Sequence, residues 1–163
     1  MLEQVQAKGK VSIVLTDENG NIKDERNIDN MVVTIGKNHF TMKTLGYLGS
    51  TGSSGGATIS NTMSHMAVGT LNTAAATGQT TLATEIARVA FPVGTPTLAT
   101  TTTTGDSIQY VATFAATVGT GALVEAGIFN ASSAGNMLCR TVFSTINKGA
   151  SDSMTITWTV SLT

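Results

Sequence analysis

The sequence predicts a mainly β protein: an antiparallel β-sandwich of jelly-roll or immunoglobulin-like type, with an N-terminal hairpin and one short helix. Three observations carry that prediction. From residue 63 onward, short runs of strand-forming residues recur between Gly, Ser and Asn turn signals. Near the N-terminus two further runs are joined by Asp17-Glu18-Asn19-Gly20, and Asn-Gly is a strong hairpin signal. The 163 residues, 41% of them hydrophobic and 17 of them Gly, suit one domain with a real core rather than two full ones. The expected organisation is a single domain over 1–163: hairpin and helix over 1–48, a Gly/Ser loop over 49–62 and the main sheet region over 63–163.

The first element, "KGKVSIVLTDENGNIKDERNID", reads as a hairpin, and it holds much of the chain's charge, which places it against solvent or a charged partner. In "DNMVVTIGKNHFTMKTL", Met31, Ile35, His39 and Met42 fall near helical spacing, with Asp29 or Asn30 available as N-cap and Gly46 past the end. The next stretch, "GYLGSTGSSGGATISNT", has loop composition. Six strands follow, in "MSHMAVG", "ARVAFPV", "SIQYVATFAAT", "ALVEAGIFN", "MLCRTVF" and "SMTITWTVSL". In the last, Met154, Ile156, Trp158, Val160 and Leu162 point one way, while Thr155, Thr157, Thr159 and Ser161 point the other. Ile108, Tyr110, Ala112 and Phe114 likewise share a face. The predicted core therefore contains Ile108, Tyr110, Phe114, Phe129, Phe143, Ile156, Trp158 and Val160. The Thr-rich "GTPTLATTTTTGD" is expected to be an extended connection or an edge strand.

Composition narrows function. Nine Lys plus Arg against ten Asp plus Glu leave a net charge of -1, which provides no basic field for nucleic acid or an anionic membrane. No run of about 18 apolar residues occurs, and "MLEQVQAKGKVSIVL" does not read as a secretory signal, so synthesis in a cytoplasm is expected. The single Cys139, in "MLCRTVF", has no disulfide partner and reads as a small buried hydrophobe rather than a catalytic thiol. His39 and His65 have no second ligand at a metal-like spacing, so neither a metal nor a cofactor is expected. The glycines of "VGTGALVEAG" lead into a strand and lack the third position of a dinucleotide fingerprint. The sequon Asn130-Ala131-Ser132 belongs more naturally to a turn.

"VEAGIFNASSAGNMLCR" is the one stretch with paired charges in an apolar setting. With a four-residue loop over 131–134, Glu125 falls directly opposite Arg140, with Leu123, Phe129, Leu138 and Val142 on the same face. The pair is expected to be a structural ion pair that fixes strand register. A hydrolytic reading needs a second carboxylate nearby, which Asp106 or Asp152 supplies only through folding.

The succession "MSHMAVGT", "TTLATEIARVAF", "SIQYVATF" and "GALVEAGIFNASSAGNMLCRTVFSTINKGASDSMTITWTV" resembles small virion structural proteins of tailed bacteriophages. In those proteins A-V-G-T, T-E-x-A-R, E-A-G-L/I-F-N-A, M-L-x-R-T-x-F, I-N-K and D-S/T-L/M-T-I-T-W segments follow in this order. The resemblance runs from Met63 to Val160; Leu71 departs from it, standing where a glycine is expected. It implies a non-enzymatic capsid decoration, or cement, protein in the virion, binding the major capsid protein or another virion protein as a homo-oligomer, with a trimer expected to match a shell lattice. A tail, fibre, baseplate or adaptor component is the alternative. A carbohydrate-binding module is poorly served by 5% aromatic residues with Trp158 on the core face.

Overall fold

The computed structural model describes residues 6–44 and 62–162. The elements are β1 (Ala7–Thr16), β2 (Ile22–Val32), α1 (Thr34–Thr44), β3 (His65–Gly69), β4 (Glu85–Ala90), β5 (Thr97–Ala99), β6 (Ser107–Phe114), β7 (Gly121–Phe129), β8 (Met137–Lys148) and β9 (Ser153–Leu162). The strands are antiparallel throughout and form one sheet in the order β4-β3-β7-β8-β2-β1-β9-β6-β5. The fold is thus mainly β with a leading hairpin and one helix, as the sequence predicts, and the "TLA" segment inside the Thr-rich stretch forms the edge strand β5.

The sheet curls into two layers over one core. Val11 and Ile13 of β1, Tyr110 and Phe114 of β6, and Ile156 and Trp158 of β9 come from one layer; Met66 of β3, Ile128 of β7, and Phe143 and Ile146 of β8 come from the other. β2 makes the corner: it pairs with β1 along nearly its whole length, but only Met31 and Val32 pair with β8, opposite Arg140 and Cys139. A strand that changes layers in this way closes a sandwich without a separate crossover.

Local sequence explains the strands. β9 alternates buried Met154, Ile156, Trp158 and Val160 with half-buried Thr155, Thr157 and Thr159. Full burial of side chains such as Trp158 and Phe114 contributes roughly 1.5 to 3 kcal/mol each. The β1–β2 turn is organised by Asp17, whose carboxylate accepts from the Asn19 N–H at 2.9 Å and the Asn21 N–H at 2.8 Å, with Gly20 at φ +83°. Of the predicted core residues, Tyr110, Phe114, Phe129, Phe143, Ile156, Trp158 and Val160 are buried, and Ile108 is half-buried against them.

The helix starts later than its apolar spacing suggests. Asp29, Asn30 and Met31 are strand residues of β2 and cap nothing, because β2 has to reach β8 at the corner. β2 runs on through Val32, a β-branched residue stiff at χ1, and the first helical turn closes when the Lys37 N–H donates to the Val33 carbonyl at 3.0 Å. Ile35 and the buried His39 do lie on α1. Gly46, and all but residue 62 of the Gly/Ser loop expected over 49–62, lie outside the described residues.

Candidate functional site

The β7–β8 hairpin corrects the predicted register. Its turn has five residues, 131–135, closed by the Asn130 N–H to the Asn136 carbonyl at 3.2 Å and by the Asn136 N–H to the Asn130 Oδ1 at 2.7 Å. The sequon asparagine is therefore a turn-closing residue. Gly135 has φ +75°, and a Cβ there would lie 2.6 Å from the Asn130 Oδ1, so glycine is required. The fifth loop residue and a bulge beside Phe129 together shift the strands, so that Glu125 faces Val142 and Arg140 faces Gly127. Glu125 and Arg140 are diagonal neighbours rather than opposite ones, still within reach of two long side chains. Phe129 joins Ala67, Leu82 and Met137 in a second apolar cluster, whereas Leu123 and Leu138 belong to the main core, because register shifts beside each break the alternation.

The ion pair forms nonetheless, and both side chains are fully buried. Arg140 donates from Nη2 and Nε to the Glu125 Oε2 at 2.8 and 3.0 Å. Its remaining donors serve the connection between β3 and β4: Nη1 reaches the Gln79 Oε1 at 2.9 Å and Nη2 the Thr73 carbonyl at 2.8 Å. Glu125 does the same from its side, accepting from the Ala83 N–H at 2.9 Å and the Thr84 N–H at 2.7 Å. Between these anchors Leu82 is buried in the second cluster, and the Thr77 carbonyl accepts from the Thr34 N–H at 2.8 Å where α1 begins. The pair is a clasp, and what it holds is the 70–84 loop. Gly69 makes room for it, since a Cβ there would lie 2.3 Å from the Thr84 carbonyl oxygen and 2.5 Å from the Glu125 Oε1.

Two more polar fasteners escape the sequence reading. Glu85 and Arg88 lie three apart on β4, a spacing that puts side chains on opposite faces of a regular strand. A bulge between Val68 and Gly69 sets Ala87 and Glu85 as their partners, skipping Ile86, and this returns Glu85 and Arg88 to one face. The Arg88 Nε and Nη2 bind the Glu85 carboxylate at 2.8 and 2.6 Å, its guanidinium lies 3.8 Å above the Phe129 ring centroid, and Nη1 holds the carbonyls of Ala131 and Ala134 at 2.8 and 2.9 Å. The tip of the β7–β8 hairpin is thereby tied to β4. At the opposite end of the body, the buried Lys148 donates to the carbonyls of Ala115 and Asp152 at 2.9 and 2.7 Å. The Asp152 carboxylate takes Lys23 at 2.7 Å and the Gly149 N–H at 2.7 Å. Burial pushes Lys148 below its ordinary pKa, and the bond from Lys23 leads the contacts that lower Asp152.

Asp106 accepts from the N–H groups of Thr101, Thr102 and Thr103, each at 2.8 Å, and these backbone bonds hold its carboxyl far below the usual carboxylate range. Neither Asp106 nor Asp152 is bonded to Glu125, so the pair of carboxylates that hydrolysis needs is not assembled there. Glu125 itself, with Oε1 and Oε2 both occupied by N–H donors, has no oxygen turned to a substrate. Burial raises the Cys139 thiol well above its ordinary value, which keeps it protonated and unreactive. His65 bonds Ser64 through Nδ1 at 2.7 Å, and burial, then the nearby Arg88, lowers its pKa. Among the described residues no three His, Cys, Asp or Glu side chains gather as metal ligands, and no helix is long and apolar enough to cross a membrane.

The charge distribution is what this accounting reveals. Beyond residue 44 the chain carries seven charged residues, Glu85, Arg88, Asp106, Glu125, Arg140, Lys148 and Asp152, and all seven are tied into contacts within the chain. Six of them stand in the T-E-x-A-R, E-A-G, M-L-x-R-T, I-N-K and D-S segments quoted above. Those segments therefore fasten the fold, and of the seven charges only Glu85 and Asp106 keep a carboxylate at the surface. Comparison of the chain with protein-family models, curated proteins and solved structures finds no match.

Proposed function

We propose that this chain is a structural protein of a bacteriophage virion: a capsid decoration, or cement, protein that binds the outer shell and clamps neighbouring major capsid subunits, and that it is not an enzyme. One observation carries the reading. Every charge beyond residue 44 is tied into a contact within the chain, and only Glu85 and Asp106 among them keep a carboxylate at the surface, so this part of the body loses little hydration when covered by protein. The order of the motifs resembling small virion proteins supports the same role. Affinity then comes from copy number: a contact of roughly 1,600 Å² repeated over a lattice holds without any single strong site.

The test is a copy count on purified particles of the phage that encodes the chain, by quantitative mass spectrometry together with electron cryo-microscopy. Density for the chain repeated over the shell is the expected result. A few copies confined to the tail overturn the cement role in favour of a tail, fibre, baseplate or adaptor component. Absence from mature particles overturns both.

A further inference from the structure

The turn between β1 and β2 holds two asparagines in unlike states. Asn21 is fastened: its Nδ2 donates to the Asp17 Oδ2 at 2.9 Å, and the β-branched Ile22 follows it. Asn19 is exposed, and its side-chain amide has no hydrogen-bond partner among the described residues. The residue after it is Gly20, and no other asparagine of the chain precedes a glycine.

That order matters because the backbone nitrogen after an asparagine can attack the asparagine's own amide carbon, and a side chain on the following residue obstructs the approach. Gly20 leaves it open, since even a Cβ built there would meet nothing within 4 Å. The Gly20 N–H donates to the Asp17 carbonyl at 3.1 Å, the longest of the five bonds that shape the turn. The other four are 2.8 to 2.9 Å long: the Asp17 N–H to the Asn21 carbonyl, and three bonds to the Asp17 carboxylate from the Asn19 N–H, the Asn21 N–H and the Asn21 Nδ2. None of these four uses the peptide group that joins Asn19 to Gly20. Turning that peptide therefore gives up a single bond of small net worth and leaves the frame of the turn in place. Gly20, at φ +83°, has the backbone freedom to follow.

We propose that Asn19 is a site of spontaneous covalent modification, at which the folded chain loses ammonia and gains a carboxylate. The Gly20 nitrogen gives its proton to solvent base and bonds to the Asn19 Cγ; the Cγ–Nδ2 bond breaks, and the departing nitrogen takes up a proton to leave as ammonia. Water then opens the cyclic imide. Cleavage between Cγ and the Gly20 nitrogen gives aspartate, whereas cleavage at the main-chain carbonyl of residue 19 gives isoaspartate, with the backbone rerouted through Cβ and Cγ. The sum is one water consumed and one ammonia released, with no oxidation or reduction. Loss of ammonia makes the change irreversible in dilute solution, so the product accumulates with the age of the molecule. The new carboxylate joins Asp17 and Glu18 at the turn, and the isoaspartate form, with one more carbon in the main chain, draws Gly20 away from the Asp17 carbonyl. β1 is also held by β9 from Ala7 to Thr16, which confines the loosening to the turn. The site does not depend on where in a larger assembly the protein acts.

Incubation of the full chain at mildly alkaline pH, folded and in guanidinium chloride, tests the proposal, with mass spectrometry of the tryptic peptide Val11–Lys23 as the readout. Conversion at Asn19 with Asn21 intact is the expected result. The folded chain should react within about tenfold of the unfolded one, the most that one hydrogen bond withholds. An acidic species should accumulate on isoelectric focusing, and Asn19→Ser should abolish it. Folded-chain conversion slower than that limit, conversion at Asn21 in step with Asn19, or an acidic species that persists in Asn19→Ser overturns the site.

Discussion

The chain up to residue 43 and the chain beyond it use charge in opposite ways. The first part carries twelve of the 19 charged residues, and Lys8, Lys10, Glu18, Glu25, Asp29 and Lys37 stand in solvent. The second is nearly three times as long and carries seven, each with an assigned contact inside the fold. Charges in water screen a surface and contribute little to stability. Charges sealed in an apolar setting with every donor and acceptor matched hold loops in place, and they are intolerant of change. The first part accordingly carries most of the exposed charge, six cations against six anions, while the rest exposes little beyond Glu85 and Asp106.

That contrast can be broken most directly at Arg140. Arg140→Leu strands the Glu125 carboxylate in the interior and should cost about 3–5 kcal/mol in urea unfolding. Gly69→Ala, which drives a methyl into the Thr84 carbonyl and Glu125, should cost about 1–3 kcal/mol by the same measurement. Arg88→Ala should cost about 1–2 kcal/mol, and hydrogen exchange should accelerate at 130–136, where its carbonyl partners lie. Glu25→Gln, an exposed charge of the hairpin, should stay within about 0.5 kcal/mol. The contrast sharpens at Lys23, which crosses from one part to the other. Asp152 is depressed below its ordinary 3.8 in the fold, so its stabilisation is complete above that pH and is lost as the pH falls through the lower folded value. The stability curves of Lys23→Ala and the unmodified chain should therefore differ near neutrality and converge in acid.

Much of this was legible in the residues. Alternation in β9 and β6 named the inward face correctly, Asn19-Gly20 marked the hairpin turn, and an acid and a base in apolar strands pointed to an ion pair. What stayed hidden depends on distance along the chain or on irregularity. Register on β7 and β8 rests on a five-residue turn and two shifts, and bulges leave no periodic signal. The guanidinium of Arg88 reaches Ala131 and Ala134, more than 40 positions away. Only the fold reveals that contact, and the same holds for the seat of the 70–84 loop. Met31 looked helical because its spacing to Ile35 fits a turn, whereas the need to bridge two layers draws it into β2.

β9 lies between β1 and β6, and it pairs with β1 from Ala7 opposite Leu162 to Thr16 opposite Ser153. β1 thus has to wait for β9. During synthesis one hydrogen-bonding edge of β1 stays unpaired until residues 153–162 have emerged from the ribosome, and closing so large a loop slows the final collapse. The exposed charges on β2, Lys23 and Glu25 among them, are then the feature that keeps this waiting hairpin from pairing edge to edge with another chain.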